Sequence, residues 1–596
     1  MRWRGEVPRA GRVTRRLVPA AALAVLVGIG LPGTAQAHAQ LERTDPGAGA
    51  VLATAPAAVT LDFTEPVEPA DGAVEVFDDT FDPVATGPVT RGLEGARSLR
   101  VALRDRLGPG TYTVSWHVSS TDTHPISGSF RFSVGATSVV RGTLPDRGRN
   151  EAAGAMLWVL RWLGYLGLVL GPGALLAAMA VWPQVLAERR ARRLVGAGLV
   201  VLAASTLGGM ALQGVWASGV PVSALWTAPE TLDTHSRRFD QVYAVRAYLV
   251  LGFAAVAAAT LASGGGVVRW RRPLPVAVGV ATVALLSTWP LVGHPSAGAG
   301  AGLAIGVNLL HTLAMTVWLG GLLLLVRCAL PVTDPAGLAR ALRAFSRVAL
   351  ACVAALVVTG GLMSWREVSS VAALTGTTFG RLLIGKLAGV LVLVLLGNLA
   401  RRWVDRQLPT ALTVVPAAAS AALPAGPRRK GAAVAVPAVS AEGLASLARL
   451  RRGMAGEVVA ASLVLAATAA LVVITPARTD YVAPFAATVS AGGARVEVGI
   501  DAPRVGDAVV RVRLADARGR EQRITAVSGA VAPSGQALAG PDSVLPMSGR
   551  PTSDGPVEVG VRFAAVGAWQ VHLVVSPAAG SPASVTVTVP VGPAQG

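Results

Sequence analysis

The chain has 596 residues, 52% of them hydrophobic and only 15% charged, with a formal net charge of +19. Ordinary soluble domains carry about a quarter charged residues, so this balance excludes a set of purely soluble domains and points to a membrane protein with polar appendages. The two cysteines, Cys328 and Cys352, both fall in apolar segments, which excludes a disulfide framework for any exported part.

The first residues read as a secretory signal. Arg2, Arg4, Arg9, Arg12, Arg15 and Arg16 form a basic stretch, Leu17 to Leu31 an apolar one, and Ala35-Gln36-Ala37 a small-x-small cleavage site. Cleavage after Ala37 makes 1–37 the signal peptide and His38 the new N-terminus. The alternative is an uncleaved membrane anchor, for which the apolar stretch is short. Residues 38–140 then alternate apolar and polar in "TLDFTEPV", "GAVEVFD", "SLRVALRD", "GTYTVSWHVSS" and "GSFRFSV", with Pro, Gly and Asp between. Short strands at this spacing predict an all-β sandwich.

Eight apolar runs follow within 151–476, at 153–184, 194–216, 242–262, 274–292, 303–330, 348–366, 379–400 and 456–475. Each offers the roughly 20 residues that a bilayer requires, predicting an eight-helix transmembrane bundle. Twenty Lys and Arg cluster in the loops after runs one, three, five and seven, and few in the others. That asymmetry places the basic loops in the cytoplasm and both ends of the chain outside. Most of the positive charge is therefore topology, and nucleic acid is rejected as a partner. The low-complexity stretch 408–448 is a cytoplasmic loop. Residues 481–596 return to alternation in "ARVEVGIDAP", "DAVVRVRLAD" and "SVTVTVP", predicting a C-terminal extracytoplasmic β-sandwich.

Seven histidines occur, and two combine with the exported N-terminus. A terminal His38 offers an imidazole and a free α-amine to one metal. "STDTHPISG" adds Asp122 and His124. Three nitrogens and one oxygen in a tetragonal array suit Cu(II), whereas zinc prefers a tetrahedron. The alternative for Asp122 and His124 is a hydrogen-bonded pair in a turn. His117, on the opposite strand face from Tyr112, Val114, Trp116 and Val118, is expected to face solvent.

The segments "HAQLERTDPGAGAVLATAPAAVTLDFTEPV" and "GTYTVSWHVSSTDTHPISGSFRFSV" resemble the CopC family of exported copper-binding proteins. That resemblance implies Cu(II) held by His38, Asp122 and His124, with Glu65 of "FTE" as a weak ligand or a residue behind the ligands. Residues 38–140 hold no Met and no Cys, so the methionine-rich Cu(I) site of some members has no counterpart here. Residues 151–476, with "RWLGYLGLVL", "HTLAMTVWLGGLLLL", "RAFSRVAL" and "FGRLLIGKLAGVLVLVLLGN", are similar to the CopD family of inner-membrane copper proteins.

Polar groups at membrane depth are functional candidates. His294 in an outer loop, then His311 and Met315 on one helix face, outline a copper path. The alternative is a His311 hydrogen bond between helices, a packing role for Met315 and a turn at His294. The resulting expectation is a multi-pass cytoplasmic (inner) membrane protein that captures Cu(II) outside and imports copper, without enzymatic activity. A hard-ligand site feeding softer groups implies reduction, so an extracytoplasmic copper chaperone or reductase is a candidate partner beside the copper ion and the lipid bilayer. Three alternatives stand beside this expectation. They are a copper-binding stress or sensor protein without transport, a haem electron-transfer protein and a copper oxidase built on a histidine brace. Bis-histidine haem needs pairs of buried His, and only His311 clearly lies in a span. Asp122 would crowd the open position that a brace needs.

Overall fold

The computed structural model describes residues 39, 41–120, 125–138, 140, 151–218, 221–227, 237–262, 273–296, 300–328, 335–411, 414–415, 438–439, 441–491, 493–534, 545–549, 556–563 and 567–592. The expected signal peptide lies outside them. The N-terminal strands are β1 (Leu41–Asp45), β2 (Val51–Leu52), β3 (Ala58–Phe63), β4 (Val67–Phe77), β5 (Ala85–Gly92), β6 (Gly95–Leu103), β7 (Gly110–Ser120) and β8 (Pro125–Val134). They form two four-stranded sheets, β1-β3-β6-β5 and β2-β8-β7-β4. Alternation decides the packing: Val59, Leu61 and Phe63 of β3 turn inward against Val114, Trp116 and Phe132 of the other sheet. The Phe63 and Trp116 rings meet edge-on at 5.4 Å, a favoured aromatic geometry that ties the sheets together.

The apolar runs form helices α1 (Glu151–Val181), α2 (Arg189–Ser218), α3 (Arg237–Ala262), α4 (Pro273–Ser287), α5 (Ala301–Cys328), α6 (Pro335–Glu367), α7 (Thr378–Ala411) and α8 (Ala441–Val473). Among the described residues seven are long and apolar enough to cross a membrane. The run expected at 274–292 holds instead the 15-residue α4. It ends before Thr288-Trp289-Pro290 because proline supplies no N–H and clashes with the preceding turn. At 1.5 Å per residue α4 reaches about 22 Å, short of the roughly 30 Å hydrocarbon core.

Helix α5 lies at the centre, touching α1, α2, α4, α6 and α8. Its inner half, from Thr312 through Met315 and Trp318 to Leu325, is largely buried. Two indoles fasten α1 to α8: Trp158 Nε1 donates to the Ala466 carbonyl at 2.9 Å, and Trp162 Nε1 to the Ser462 carbonyl at 3.2 Å. The N-terminal sandwich rests on the bundle where β7 and β8 touch α2.

Eight further strands end the chain: β9 (Phe485–Ala491), β10 (Ala494–Ile500), β11 (Gly506–Asp516), β12 (Ile524–Pro533), β13 (Leu545–Gly549), β14 (Val557–Phe563), β15 (Gly567–Pro577) and β16 (Ala583–Val591). Sheets β9-β10-β11-β14 and β13-β12-β15-β16 share one core rich in valine. On the outer face, Asp507 and Arg562 pair across β11 and β14 through two hydrogen bonds of 2.7 and 2.9 Å. The guanidinium bonds hold the Asp507 carboxyl below its ordinary range.

Candidate metal centre

Three described residues converge at one end of the N-terminal sandwich. Leu41 pairs with Phe63, so the chain running outward from β1 meets the turn that carries Glu65. Val67 pairs with Ser120, bringing the end of β7 to the same rim. The Ala39 backbone N–H donates to the Ser120 hydroxyl at 3.1 Å in a buried position. Across the β7–β8 hairpin, Ser119 pairs with Pro125. His38, Asp122 and His124 lie outside the described residues. Their described neighbours Ala39, Ser120 and Pro125 are nevertheless held at this single rim. His117 lies between buried Trp116 and Val118 and is itself half-buried rather than open to solvent.

The rim lies near a charged cluster at the end of α6. Glu65 and Glu367 both act electrostatically on Arg366, which joins the sandwich to α6. Glu367 Oε2 lies 3.8 Å from His294 Nδ1, and both side chains are largely enclosed. His294 sits in a 3-10 turn, His294–Ser296, and is 5% exposed. His294 is legible from the sequence as a loop residue, and the structure places it in this turn. Arg366 and Glu367 are not, because the sequence reads them as the start of a charged loop, whereas they form the last turn of α6.

Beyond this cluster, α5 and α6 run side by side. Asn308, His311, Met315 and Trp318 recur at intervals of three and four, which sets them on one helix face. On α6 the matching positions are Met363 and Thr359. Asn308 Nδ2 lies 4.0 Å from Met363 Sδ, and His311 Nδ1 lies 2.8 Å from Thr359 Oγ1. The Thr359 hydroxyl spends its one proton on the Ala355 carbonyl at 2.6 Å. Towards His311 it can only accept, so Nδ1 carries the hydrogen and Nε2 keeps its lone pair. This is how a metal-binding imidazole is usually oriented from behind. Met315 is buried one turn further in. Lys386 of α7 lies within electrostatic range of His311.

A second polar space does not suit a bare cation. A cavity of about 50 Å3 beside α1, α2 and α3 is lined by Arg161 and Arg246 together with Tyr165 and Tyr243. Arg246 is buried between the Tyr243 and Trp289 rings, 4.3 and 4.0 Å from their centroids, and donates to Thr288 Oγ1 at 2.9 Å. Two guanidiniums facing one small cavity would repel a metal ion.

Residues 41–135 match the CopC domain family, and residues 339–472 match the family described as copper resistance protein D. The first match spans β1 to β8, and the second begins in α6 and ends in α8. The chain belongs to the CopC–CopD family of copper resistance and transport proteins. Protein YobA of Escherichia coli K12 is 39% identical over 113 residues, which is 19% of this chain and 91% of that protein. Copper transport protein CutJ of Bacillus subtilis is 25% identical over 377 residues, covering 61% of this chain and 68% of its own length. Copper resistance protein C of Xanthomonas campestris is 34% identical over 106 residues, 17% of this chain and 83% of its own. In this CopC–CopD chain the CopC match ends before the linker to α1, and α1 to α5 precede the CopD match.

Proposed function

We propose that this CopC–CopD chain captures Cu(II) outside the cytoplasmic membrane and passes copper inward between α5 and α6. Capture falls to the N-terminal sandwich, after cleavage behind Ala37, with the His38 amine and imidazole, the Asp122 carboxylate and the His124 imidazole as ligands. Three nitrogens and an oxygen are the donor set Cu(II) favours. The observation that carries this reading is the buried bond from the Ala39 N–H to Ser120 Oγ. It tethers the residue after His38 to the residue two before Asp122. Glu65, on the same rim, supplies negative charge close to the cation. From there His294, His311 and Met315 mark the inward route, with both β domains extracytoplasmic and copper as cargo. The His311 tautomer supports it, since Nε2 is left as a ligand.

The test uses the full chain in two forms, one beginning at His38 and one carrying a single Gly ahead of it. The extension is expected to alter the nitrogen hyperfine pattern in the Cu(II) electron paramagnetic resonance spectrum. It should weaken binding by about tenfold or more, in line with roughly 1.5–3 kcal/mol for a lost charge-assisted contact. Identical spectra and affinities would remove the terminal chelate. Copper uptake into proteoliposomes separates transport from binding alone: wild-type vesicles that accumulate no copper would leave a copper-binding protein without transport.

A further inference from the structure

We propose that the cavity between α5, α6, α7 and α8 is a Cu(I) station, held by the Glu457 carboxylate and the Met454 thioether. It rests on the reading that copper moves inward along α5 and α6. It takes copper as Cu(I), each Cu(II) from the N-terminal site having accepted one electron from an external thiol or reductase before it enters the bundle.

The cavity measures about 280 Å3 and is lined mainly by apolar side chains, with Trp318, Ser346, Asn398, Arg401, Met454 and Glu457 among them. Trp318 continues the face that carries Asn308, His311 and Met315, so the cavity opens one turn beyond Met315. Glu457 lies about 24 Å from the outer end of α8 at 1.5 Å per residue, towards the inner end of the apolar run 456–475. It is 4% exposed. Among the described residues it has no hydrogen bond and no charged group acting on it, Arg401 included. Arg451, six residues before Glu457 along α8, donates to the Val326 carbonyl at 2.8 Å.

An ionised carboxylate inside a membrane is costly unless paired, and such residues mark ion pathways. What would complete this one is a monovalent cation. Met454 stands three residues before Glu457, on the same face, and is itself buried. A soft thioether beside a carboxylate selects Cu(I) over Na+ or K+, and a single positive charge on the ion would neutralise a single carboxylate. Asn398 and Ser346 add neutral oxygens. An acyl chain would fill the apolar walls equally well but would leave the carboxylate unpaired, so the lining favours the ion.

The experiment compares purified full-length wild type with Glu457→Gln and Met454→Leu, using Cu(I) kept reduced with ascorbate. Cu(I) stoichiometry is read by competition with a chromogenic chelator, and copper uptake in proteoliposomes. Each variant is expected to lose one Cu(I) equivalent, or to bind it about tenfold more weakly, the loss of about 1.4 kcal/mol. Uptake should fall in parallel, while the N-terminal Cu(II) spectrum, which also reports folding, stays unchanged. Variants that bind Cu(I) and move copper as wild type does would overturn the station and leave the transport reading intact. If wild type itself moves no copper, transport fails and the Cu(I) stoichiometry alone decides the site. Should Glu457→Gln not survive extraction, Met454→Leu decides the site by the same two readouts.

Discussion

His311 is oriented by one hydroxyl. Thr359 gives its proton to Ala355 and accepts from His311 Nδ1, which fixes the tautomer and leaves Nε2 for a ligand. Thr359→Val keeps the shape and removes the acceptor, so the ring is expected to lose its fixed orientation. Groups that orient a metal-bound histidine are typically worth about 10–100-fold in affinity. Copper uptake by Thr359→Val should therefore fall by about tenfold, with the melting temperature little changed and Thr359→Ser restoring uptake. An unaltered Thr359→Val would reduce this bond to packing. His311 and Met315 were legible in the sequence because a histidine at membrane depth stands out and Met315 follows by one turn. Thr359 and Met363 were not. A helical threonine ordinarily bonds its own carbonyl four residues back, and a methionine among leucines reads as packing. Only the pairing of α5 with α6 brings them to His311 and Asn308.

Glycines set how closely the helices approach. At Gly173 an added Cβ would fall within contact distance of the Thr316 carbonyl oxygen, and at Gly320 it would meet the backbone of Gly173. These two positions let α1 and α5 meet backbone to backbone, the kind of contact that small residues allow in membrane bundles. Gly320→Ala is expected to destabilise the bundle by about 1–3 kcal/mol, the usual cost of overpacking. Gly306→Ala lies on the same helix with open space around it. It should be neutral or slightly stabilising, since alanine is the better helix former by about 1 kcal/mol. Thermal melts of the detergent-solubilised chain compare the two, and equal melting temperatures would remove the close-approach argument. The apolar run through "GLVLGPGALL" read as one continuous helix, and α1 does continue through Pro172. It does so by widening to a π-helical turn over Val169–Gly173, which relieves the clash that proline makes in an α-helix. Period and length foretell a span; the local widening follows from packing against α5, which the sequence alone does not display.

Across the whole molecule, one arginine links the N-terminal sandwich to the helix bundle. Arg366 in the last turn of α6 feels Glu65 of the N-terminal sandwich, Glu367 and the cation Arg478, and Glu367 reaches towards His294. Alternation in the sequence foretold separate β domains flanking a bundle. It could not foretell this junction, because residues 65, 294 and 366 meet only through the docking of one domain on another. The junction carries a specific consequence. With Arg366 in place, its positive charge offsets Glu65 beside the proposed Cu(II) ligands and draws Glu367 away from acting alone on His294. Arg366→Gln removes from the cluster the cation on which both carboxylates act, leaving Arg478. Negative potential at the rim then rises, so Cu(II) should be held more tightly and released less readily. The expected result is a Cu(II) dissociation constant lowered by about three- to tenfold, equal to about 0.7–1.4 kcal/mol, together with reduced uptake. Both effects should shrink as ionic strength rises, because a partly exposed charge cluster is screened within about 8 Å at physiological salt. Raising salt therefore distinguishes a charge effect from misfolding, which salt would not reverse. Arg366→Gln protein with wild-type Cu(II) affinity and uptake at low salt would show that the sandwich and the bundle handle copper independently.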